Sequence, residues 1–287
     1  AVKVIRSWLL PRELQRRFRY EAAALGRLKH PGIAQVLEAS AAVGPDGKEI
    51  PFLAMEYVVG RPLLAHAAAQ GLGLRDRLEL FAAVCDAVHH AHERGVIHRD
   101  LKPQNVLVED VSADSTHTTS PRWQPKVLDF GVARLTDRSG VEQTLTTSRT
   151  DVGQIIGTIA YMSPEQARGD QQIVDTRSDI YSLGAIVYEL LTGALPHDVR
   201  SLGLLEASRR INESEPVPPS RITSELRGDV ETIVLKALEK EPDRRYSSAA
   251  ELAADVRRYL ADMPITARPA TAVYHMRKFA RRNRGLV

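Results

Sequence analysis

Two polar stretches stand out near the middle of the chain. The first reads His98-Arg99-Asp100-Leu101-Lys102-Pro103-Gln104-Asn105, and the second reads Val127-Leu128-Asp129-Phe130-Gly131. Together they place two carboxylates, one amide and one lysine at fixed intervals beside short apolar runs. A divalent metal ion needs oxygen ligands, and a reacting hydroxyl needs a group that takes its proton. This set of side chains therefore indicates phosphoryl transfer from a nucleotide.

The composition is that of a soluble globular protein with a substantial core. Of 287 residues, 43% are hydrophobic and 26% are charged, which permits one large domain or two modest ones that share a cleft. The net charge is only +3, and five of the 39 lysines and arginines lie within the last dozen residues. The rest of the chain is close to neutral, which argues against nucleic acid as the main partner. The crowded cations are Arg277, Lys278, Arg281, Arg282 and Arg284.

Cysteine and hydropathy indicate the compartment. Cys85 is the only cysteine, so no internal disulfide can form, which fits a reducing cytoplasm. It falls on the apolar side of a helical pattern and is interpreted as a small buried residue rather than a reactive thiol. No apolar run reaches the roughly 20 residues that a bilayer-spanning helix needs.

The first sixty residues favour strands and one helix. Residues 1–6 alternate as a strand, with Ala1 and Lys3 on one face. Residues 12–28 favour a helix whose apolar stripe is interrupted by Glu21, and a carboxylate on the core side of a helix needs a partner. Two further strand-like runs are expected at residues 33–40 and 50–57, and a break in the chain at residues 60–62. A polar insertion is expected at residues 111–125.

The rest of the chain favours helices. Residues 74–94 form an amphipathic pattern that Gly95 ends, and residues 180–191 are apolar around most of the helix until Gly193 ends it. Further helices are expected near residues 200–212, 228–239 and 248–260. The expected order is a small part built from strands and one helix, followed by a helical body.

The two polar stretches resemble the catalytic loop and the metal-binding loop of eukaryotic-type protein kinases. The resemblance runs from Ala1 to about residue 260 and is closest to bacterial receptor-like serine/threonine kinases. It implies an α+β, two-lobed protein-kinase-like fold. The implied parts are a small, mainly β N-lobe (1–60) that lacks the glycine-rich loop, a helical C-lobe (61–262) and a basic juxtamembrane-like tail (263–287).

The resemblance assigns catalytic roles. Asp100 would be the base that accepts the proton of the attacking hydroxyl, and Lys102 would neutralise charge on the transferring phosphoryl group. Asn105 and Asp129 would supply oxygen ligands to Mg²⁺. Thr158 would lie beside Asp100, which is typical of serine/threonine specificity. His98 is interpreted as structural.

The resemblance also assigns the residues that bind ATP. Lys3 would grip the α- and β-phosphates, and Glu21 would orient Lys3. Ala1 would leave room for the flat base. The adenine contacts would come from Met55 at the rear of the pocket, from backbone groups of Glu56 and Val58, and from Leu107 as the floor.

Further residues would support the fold or its regulation. Glu165 would pair with Arg245, and Asp179 would hold the backbone of residues 98–100. Because Arg99 directly precedes Asp100, the resemblance implies control by phosphorylation, with the simple alternative of a polar loop. The candidate acceptors are Thr144, Thr146, Thr147, Ser148 and Thr150.

One part of the family pattern is missing. A glycine-rich loop should precede Lys3, so we expect it upstream in a longer protein and expect residues 1–287 alone to bind ATP weakly. We also expect a membrane anchor after residue 287, which would place the kinase at the cytoplasmic face of the cell membrane. The alternative is a cytoplasmic protein with a solvated basic helix.

Other functional classes stay open at this stage. The expected partners are proteins with serine or threonine acceptors, and a second copy of the chain for autophosphorylation in trans. The main rival function is a pseudokinase that acts as a regulated scaffold. Thr158 and the sequence Ser163-Pro164-Glu165 disfavour a small-molecule or lipid phosphotransferase.

Overall fold

The computed structural model describes residues 1–4, 25–43, 49–111, 122–130, 158–170 and 172–268. Glu21, the five candidate phosphorylation sites and the basic cluster 277–284 lie outside the described residues. The strands are β1 (Val2–Val4), β2 (Val36–Val43), β3 (Glu49–Met55), β4 (Arg61–Pro62), β5 (Val106–Asp110) and β6 (Trp123–Val127). The helices are α1 (Leu63–Ala69), α2 (Leu74–His92), α3 (Pro164–Ala167), α4 (Thr176–Thr192), α5 (Leu204–Glu213), α6 (Asp229–Ala237) and α7 (Ala249–Leu260).

The first sheet is antiparallel, with the strand order β1-β3-β2. Lys3 lies opposite Leu53, which is fully buried, so both point to the inner face. Val2 and Val4 point the other way and are exposed. The predicted alternation in the first strand is therefore confirmed, and it places Lys3 toward the interior.

A second antiparallel sheet, with the order β4-β5-β6, lies next to the first. The predicted break at residues 60–62 falls where the chain enters this sheet. A Cβ atom on Gly60 would lie 2.7 Å from the carbonyl oxygen of Val108, so only glycine fits there without a shift. A hydrogen bond joins the segment that precedes β2 to β6, because the amide of Ala34 donates to the carbonyl of Val127 over 3.0 Å.

The helical body is built around α4, which is buried on nearly all sides. The helix ends at Gly193, whose φ of 72° is left-handed, as the sequence predicts. Cys85 on α2 is fully buried, which confirms its interpretation as a core residue, and burial raises the pKa of its thiol well above the ordinary value. Within the described residues, no helix is both long and apolar enough to cross a membrane.

Helix α1 is absent from the sequence-based expectations. Its seven residues, Leu-Leu-Ala-His-Ala-Ala-Ala, are too few to show a clear helical period. The helix forms because Leu63, His66 and Ala67 are buried against the body. Tertiary packing, rather than an amphipathic pattern, therefore defines this element.

The chain after α7 folds back onto the body through Asp255, which is fully buried. Its carboxylate accepts hydrogen bonds from the amide and hydroxyl of Thr266 at 2.7 and 2.8 Å and from the amide of Ala267 at 2.8 Å. Tyr246 also donates to Asp255, and Ile265 is buried beside it. Residues 264–267 are thus part of the folded body.

We expect acid to release residues 264–267. Burial acts to raise the pKa of Asp255, but the hydrogen bonds from Thr266 and Ala267 outweigh it and hold the pKa below its ordinary value. A lowered carboxyl pKa contributes stability above the unfolded pKa, and this stability disappears as pH falls through the folded value. Hydrogen exchange at the amides of Thr266 and Ala267 should lose its protection in that range. In Asp255→Asn the protection should already be low at neutral pH; full protection in this variant would contradict the prediction.

Candidate active site

Asp179 holds the loop at residues 98–100 in place. Its carboxylate accepts hydrogen bonds from the amides of His98 and Arg99, each over 2.8 Å, and its Oδ2 lies 2.7 Å from Nε2 of His92. Burial acts to raise the pKa of Asp179, but these partners outweigh it and hold the pKa below the ordinary value. The predicted contact between Asp179 and the loop backbone is confirmed, whereas the contribution of His92 was missed.

Two residues of the site have left-handed backbones although neither is glycine. Arg99 has a φ of 68° and Asp129 a φ of 59°. Such angles are uncommon for side-chain-bearing residues and need support from their surroundings. For Arg99 that support comes from Asp179 on the amide side and from Gln166, whose Nε2 donates to the carbonyl of Arg99 over 2.7 Å.

Hydrogen bonds join four predicted catalytic side chains, those of Asp100, Lys102, Asn105 and Thr158. Nζ of Lys102 lies 3.1 Å from Oδ1 of Asp100 and 2.9 Å from Oγ1 of Thr158. The amide nitrogen of Asn105 donates to the carbonyl and to Oδ2 of Asp100, over 2.8 and 3.2 Å. Asp100 keeps a side-chain exposure of 29%, so a hydroxyl from another molecule can approach it.

The second predicted motif reaches the same place from the other side. The amide of Leu128 donates to the carbonyl of Asn105 over 2.8 Å, which brings Asp129 next to the catalytic loop. Phe130 is buried against the ring of His98, with the centroids 4.7 Å apart. His98 also donates from Nε2 to the carbonyl of Leu128 over 2.8 Å, so its contacts are structural, as predicted.

Lys3 joins this cluster through an ion pair with Asp129. Its Nζ lies 3.1 Å from Oδ2 of Asp129, and the two side chains are 42% and 30% exposed. Glu21, the predicted partner of Lys3, lies outside the described residues. Contacts therefore connect Lys3 through Asp129 to the catalytic loop that carries Asp100 and Asn105.

The predicted adenine-binding segment lies at the end of β3. The amide of Met55 donates to the carbonyl of Ala1 over 2.8 Å, which places both residues together. Met55 also lines a small cavity with Leu53, Asp129 and Phe130. Val58 is buried, and the remaining predicted contacts, Glu56 and Leu107, are half-buried.

The donor set fits Mg²⁺ better than a transition metal. Asn105 and Asp129 offer an amide oxygen and a carboxylate, which are hard ligands of the type that Mg²⁺ prefers. Across the described part of the chain, no group of three or more His, Cys, Asp or Glu residues could hold a metal. Two protein ligands suit an ion that takes its other ligands from phosphates and water.

Glu165 and Arg245 form the predicted ion pair. The guanidinium donates to both carboxylate oxygens, over 2.7 and 2.8 Å, and the side chains are only 4% and 0% exposed. Ser178 adds a third hydrogen bond to Glu165 over 2.7 Å. The pair joins the segment that carries Thr158 to the helical body, and so it helps to hold Thr158 in place.

Comparison with known proteins agrees with this geometry. Residues 1–256 match the family model described as Protein kinase domain. Serine/threonine-protein kinase PknB of Mycobacterium tuberculosis is 40% identical over 258 residues, which cover 89% of this chain and 38% of that protein. PknB of Mycolicibacterium smegmatis is 39% identical over the same length and with the same coverage.

A probable serine/threonine-protein kinase of Streptomyces coelicolor is 38% identical over 273 residues, which cover 94% of this chain and 37% of that protein. The chain thus spans less than two fifths of the length of these relatives. The family model, by contrast, covers most of the chain. These matches confirm the predicted α+β kinase fold, and the chain belongs to the protein kinase domain family.

Proposed function

We propose that the protein is an ATP-dependent serine/threonine protein kinase that transfers the γ-phosphoryl group of ATP to hydroxyls of protein substrates. The observation that carries this proposal is the shared ammonium of Lys102, which contacts both Asp100 and Thr158. A base and a residue from the substrate-facing segment are thereby held within reach of one hydroxyl. The names of the relatives, serine/threonine-protein kinases, support the same activity.

Asp100 accepts the proton as the substrate oxygen attacks the γ-phosphorus. The new bond from oxygen to phosphorus forms while the bond to the bridging oxygen of ADP breaks. Asn105 keeps the carboxylate of Asp100 oriented through the hydrogen bonds from its amide nitrogen. Lys102 and Lys3 place positive charge beside the phosphoryl oxygens, where negative charge develops.

Asn105 and Asp129 would hold Mg²⁺, which neutralises the phosphate charge when it is bound. The nucleobase would lie against Ala1, Met55 and Leu107 and would bond to the backbone of residues 56–58. The amide of Glu56 already donates to the carbonyl of Gln35 over 2.8 Å. The carbonyl of Glu56 and the backbone of Val58 therefore serve the base in this proposal.

Phosphotransfer by the full-length protein tests the activity. The protein is incubated with Mg²⁺, γ-labelled ATP and a mixture of protein substrates, followed by phosphoamino-acid analysis. We expect label in phosphoserine and phosphothreonine and none in phosphotyrosine. Nucleotide binding without any transfer would instead support the pseudokinase, although Lys3, Asp100, Lys102, Asn105 and Asp129 are all present.

We also propose autophosphorylation within residues 144–150, carried out in trans by a second copy of the chain. The proposal rests on the hydroxyl-rich sequence and on the arginine that directly precedes Asp100, an arrangement that goes with control by phosphorylation in the family that the motifs resemble. Mass spectrometry after incubation with Mg·ATP should find phosphate there, at an initial rate that rises with the square of the protein concentration. An active enzyme without phosphate on residues 144–150 would contradict the proposal.

We further propose the cytoplasmic face of the cell membrane as the location. The support is the basic cluster at residues 277–284, because such clusters favour the cytoplasmic side of a membrane. Fractionation of cells that express the full-length protein tests the proposal. Recovery in the soluble fraction would favour the cytoplasmic alternative.

A further inference from the structure

A half-buried lysine on β6 has no place in the reaction described above. The side chain of Lys126 is 13% exposed, and its Nζ lies 2.5 Å from Oε1 of Glu56 and 3.9 Å from Oε2 of Glu109. An ammonium group with this little access to water is costly unless it meets an anion. The contact with Glu56 is therefore the reason that Lys126 can be accommodated here.

Both the carboxylate and the backbone amide of Glu56 make hydrogen bonds. One carboxylate oxygen contacts Lys126, and the other accepts a hydrogen bond from the amide of Gln35 over 3.1 Å. The amide of Glu56 in turn donates to the carbonyl of Gln35 over 2.8 Å. Burial acts to raise the pKa of Glu56, but the bond to Lys126 and the amide of Gln35 outweigh it and keep the pKa below its ordinary value.

The pair joins the residue that follows β3 to the strand that leads to Asp129. Glu56 directly follows β3, whereas Lys126 lies on the strand that leads to Asp129 three residues later. This strand is itself tied to the segment that precedes β2, because the amide of Val127 donates to the carbonyl of Gly32 over 2.8 Å. Lys126 thus connects the main chain at residue 56 to the same strand that positions Asp129.

We propose that Lys126 is a positioning residue for the nucleotide, which acts through Glu56 to hold the main chain of residues 56–58 in its base-binding conformation. This inference rests on the proposed kinase function. Lys126 itself touches neither the base nor the phosphates in this proposal. Its loss should weaken binding of the base while the reacting groups around Asp100 stay in place.

Kinetics of Lys126→Met in the full-length protein test the proposal. We expect the KM for ATP to rise about tenfold, the effect of losing one hydrogen bond to a charged group, with kcat within about twofold of wild type. Inhibition by adenosine should weaken by the same factor, whereas inhibition by inorganic triphosphate should not change. Lys126→Arg should restore most of the ATP affinity, and Lys29→Met, at an exposed lysine, should change nothing.

A double-mutant cycle shows whether Lys126 acts through Glu56. Glu56→Gln keeps the shape of the side chain and should also raise the KM for ATP. The double variant should bind ATP no more weakly than Lys126→Met alone, because both changes remove the same contact. Additive effects would overturn the proposal. Should Lys126→Met fail to fold, an unchanged KM in Glu56→Gln would overturn it as well.

Two other outcomes would also overturn the inference. An unchanged KM in Lys126→Met would show that the contact does not position the base. An equal loss of adenosine and triphosphate inhibition would show that the lysine acts on the phosphates or on the fold as a whole. Absence of phosphotransfer in the wild-type protein would instead refute the proposed function, so the two failures are distinguishable.

Discussion

Asp100→Asn is expected to lower the rate of phosphoryl transfer by about 10²–10⁴-fold, the contribution typical of a positioned general base. Asparagine has nearly the same shape and can still accept a hydrogen bond from Lys102, but it cannot take a proton. The KM for ATP should stay within about twofold, because Asp100 contacts the phosphoryl acceptor rather than the nucleotide. Initial rates of substrate phosphorylation by the full-length protein measure both quantities.

A matched control separates loss of the base from loss of the fold. Asp198→Asn makes the same chemical change at a side chain that is 78% exposed and has no assigned role in the reaction, so its rate should equal that of the wild type. The unfolding midpoint of Asp100→Asn should also match the wild type. Retention of the full rate in Asp100→Asn would show that another group takes the proton. The role proposed for Asp100 would then be wrong.

Arg245→Met is expected to lower the free energy of unfolding by about 3–5 kcal/mol. The substitution leaves the carboxylate of Glu165 buried, with Ser178 as its remaining side-chain partner. It also removes the donor for three backbone carbonyls, those of Arg177, Glu239 and Lys240. Chemical denaturation of wild type and variant measures the difference.

An exposed ion pair provides the control for Arg245→Met. Arg257 pairs with Asp86 on the surface, with side-chain exposures of 52% and 40%. Arg257→Met should cost no more than about 1 kcal/mol, because water screens the charges and already solvates both groups. Equal losses in the two variants would mean that burial of the Glu165–Arg245 pair has no energetic consequence, contrary to this account.

The loss of unfolding free energy caused by Arg245→Met should depend on pH. Burial acts to raise the pKa of Glu165, but Arg245 and Ser178 outweigh it and hold the pKa below its ordinary value in the native protein. The stabilisation is therefore complete above the ordinary carboxyl pKa and disappears as pH falls through the lowered one. The difference between wild type and Arg245→Met should shrink over that acid range, which denaturation curves at several pH values can show.

Local sequence was sufficient to predict the helices with strong periodicity and clear ends. The long helices α2 and α4 end close to Gly95 and Gly193, because glycine reaches the left-handed backbone that stops a helix at little cost. The two motifs also predicted Asp100, Asn105 and Asp129 as candidate site residues from their spacing along the chain, and a hydrogen bond from Leu128 to Asn105 joins the two loops that carry them. Short elements such as α1 carried too few residues for any period to be visible.

The sequence by itself therefore predicted a set of candidate catalytic side chains and the order of the main elements. Only the tertiary structure showed that Gln166 supports Arg99, that Lys126 supports Glu56 and that Asp255 supports Thr266. These partners are separated by 11 to 70 positions in the chain. Their pairing depends on burial and on the direction of single hydrogen bonds, which leave no periodic pattern along the sequence.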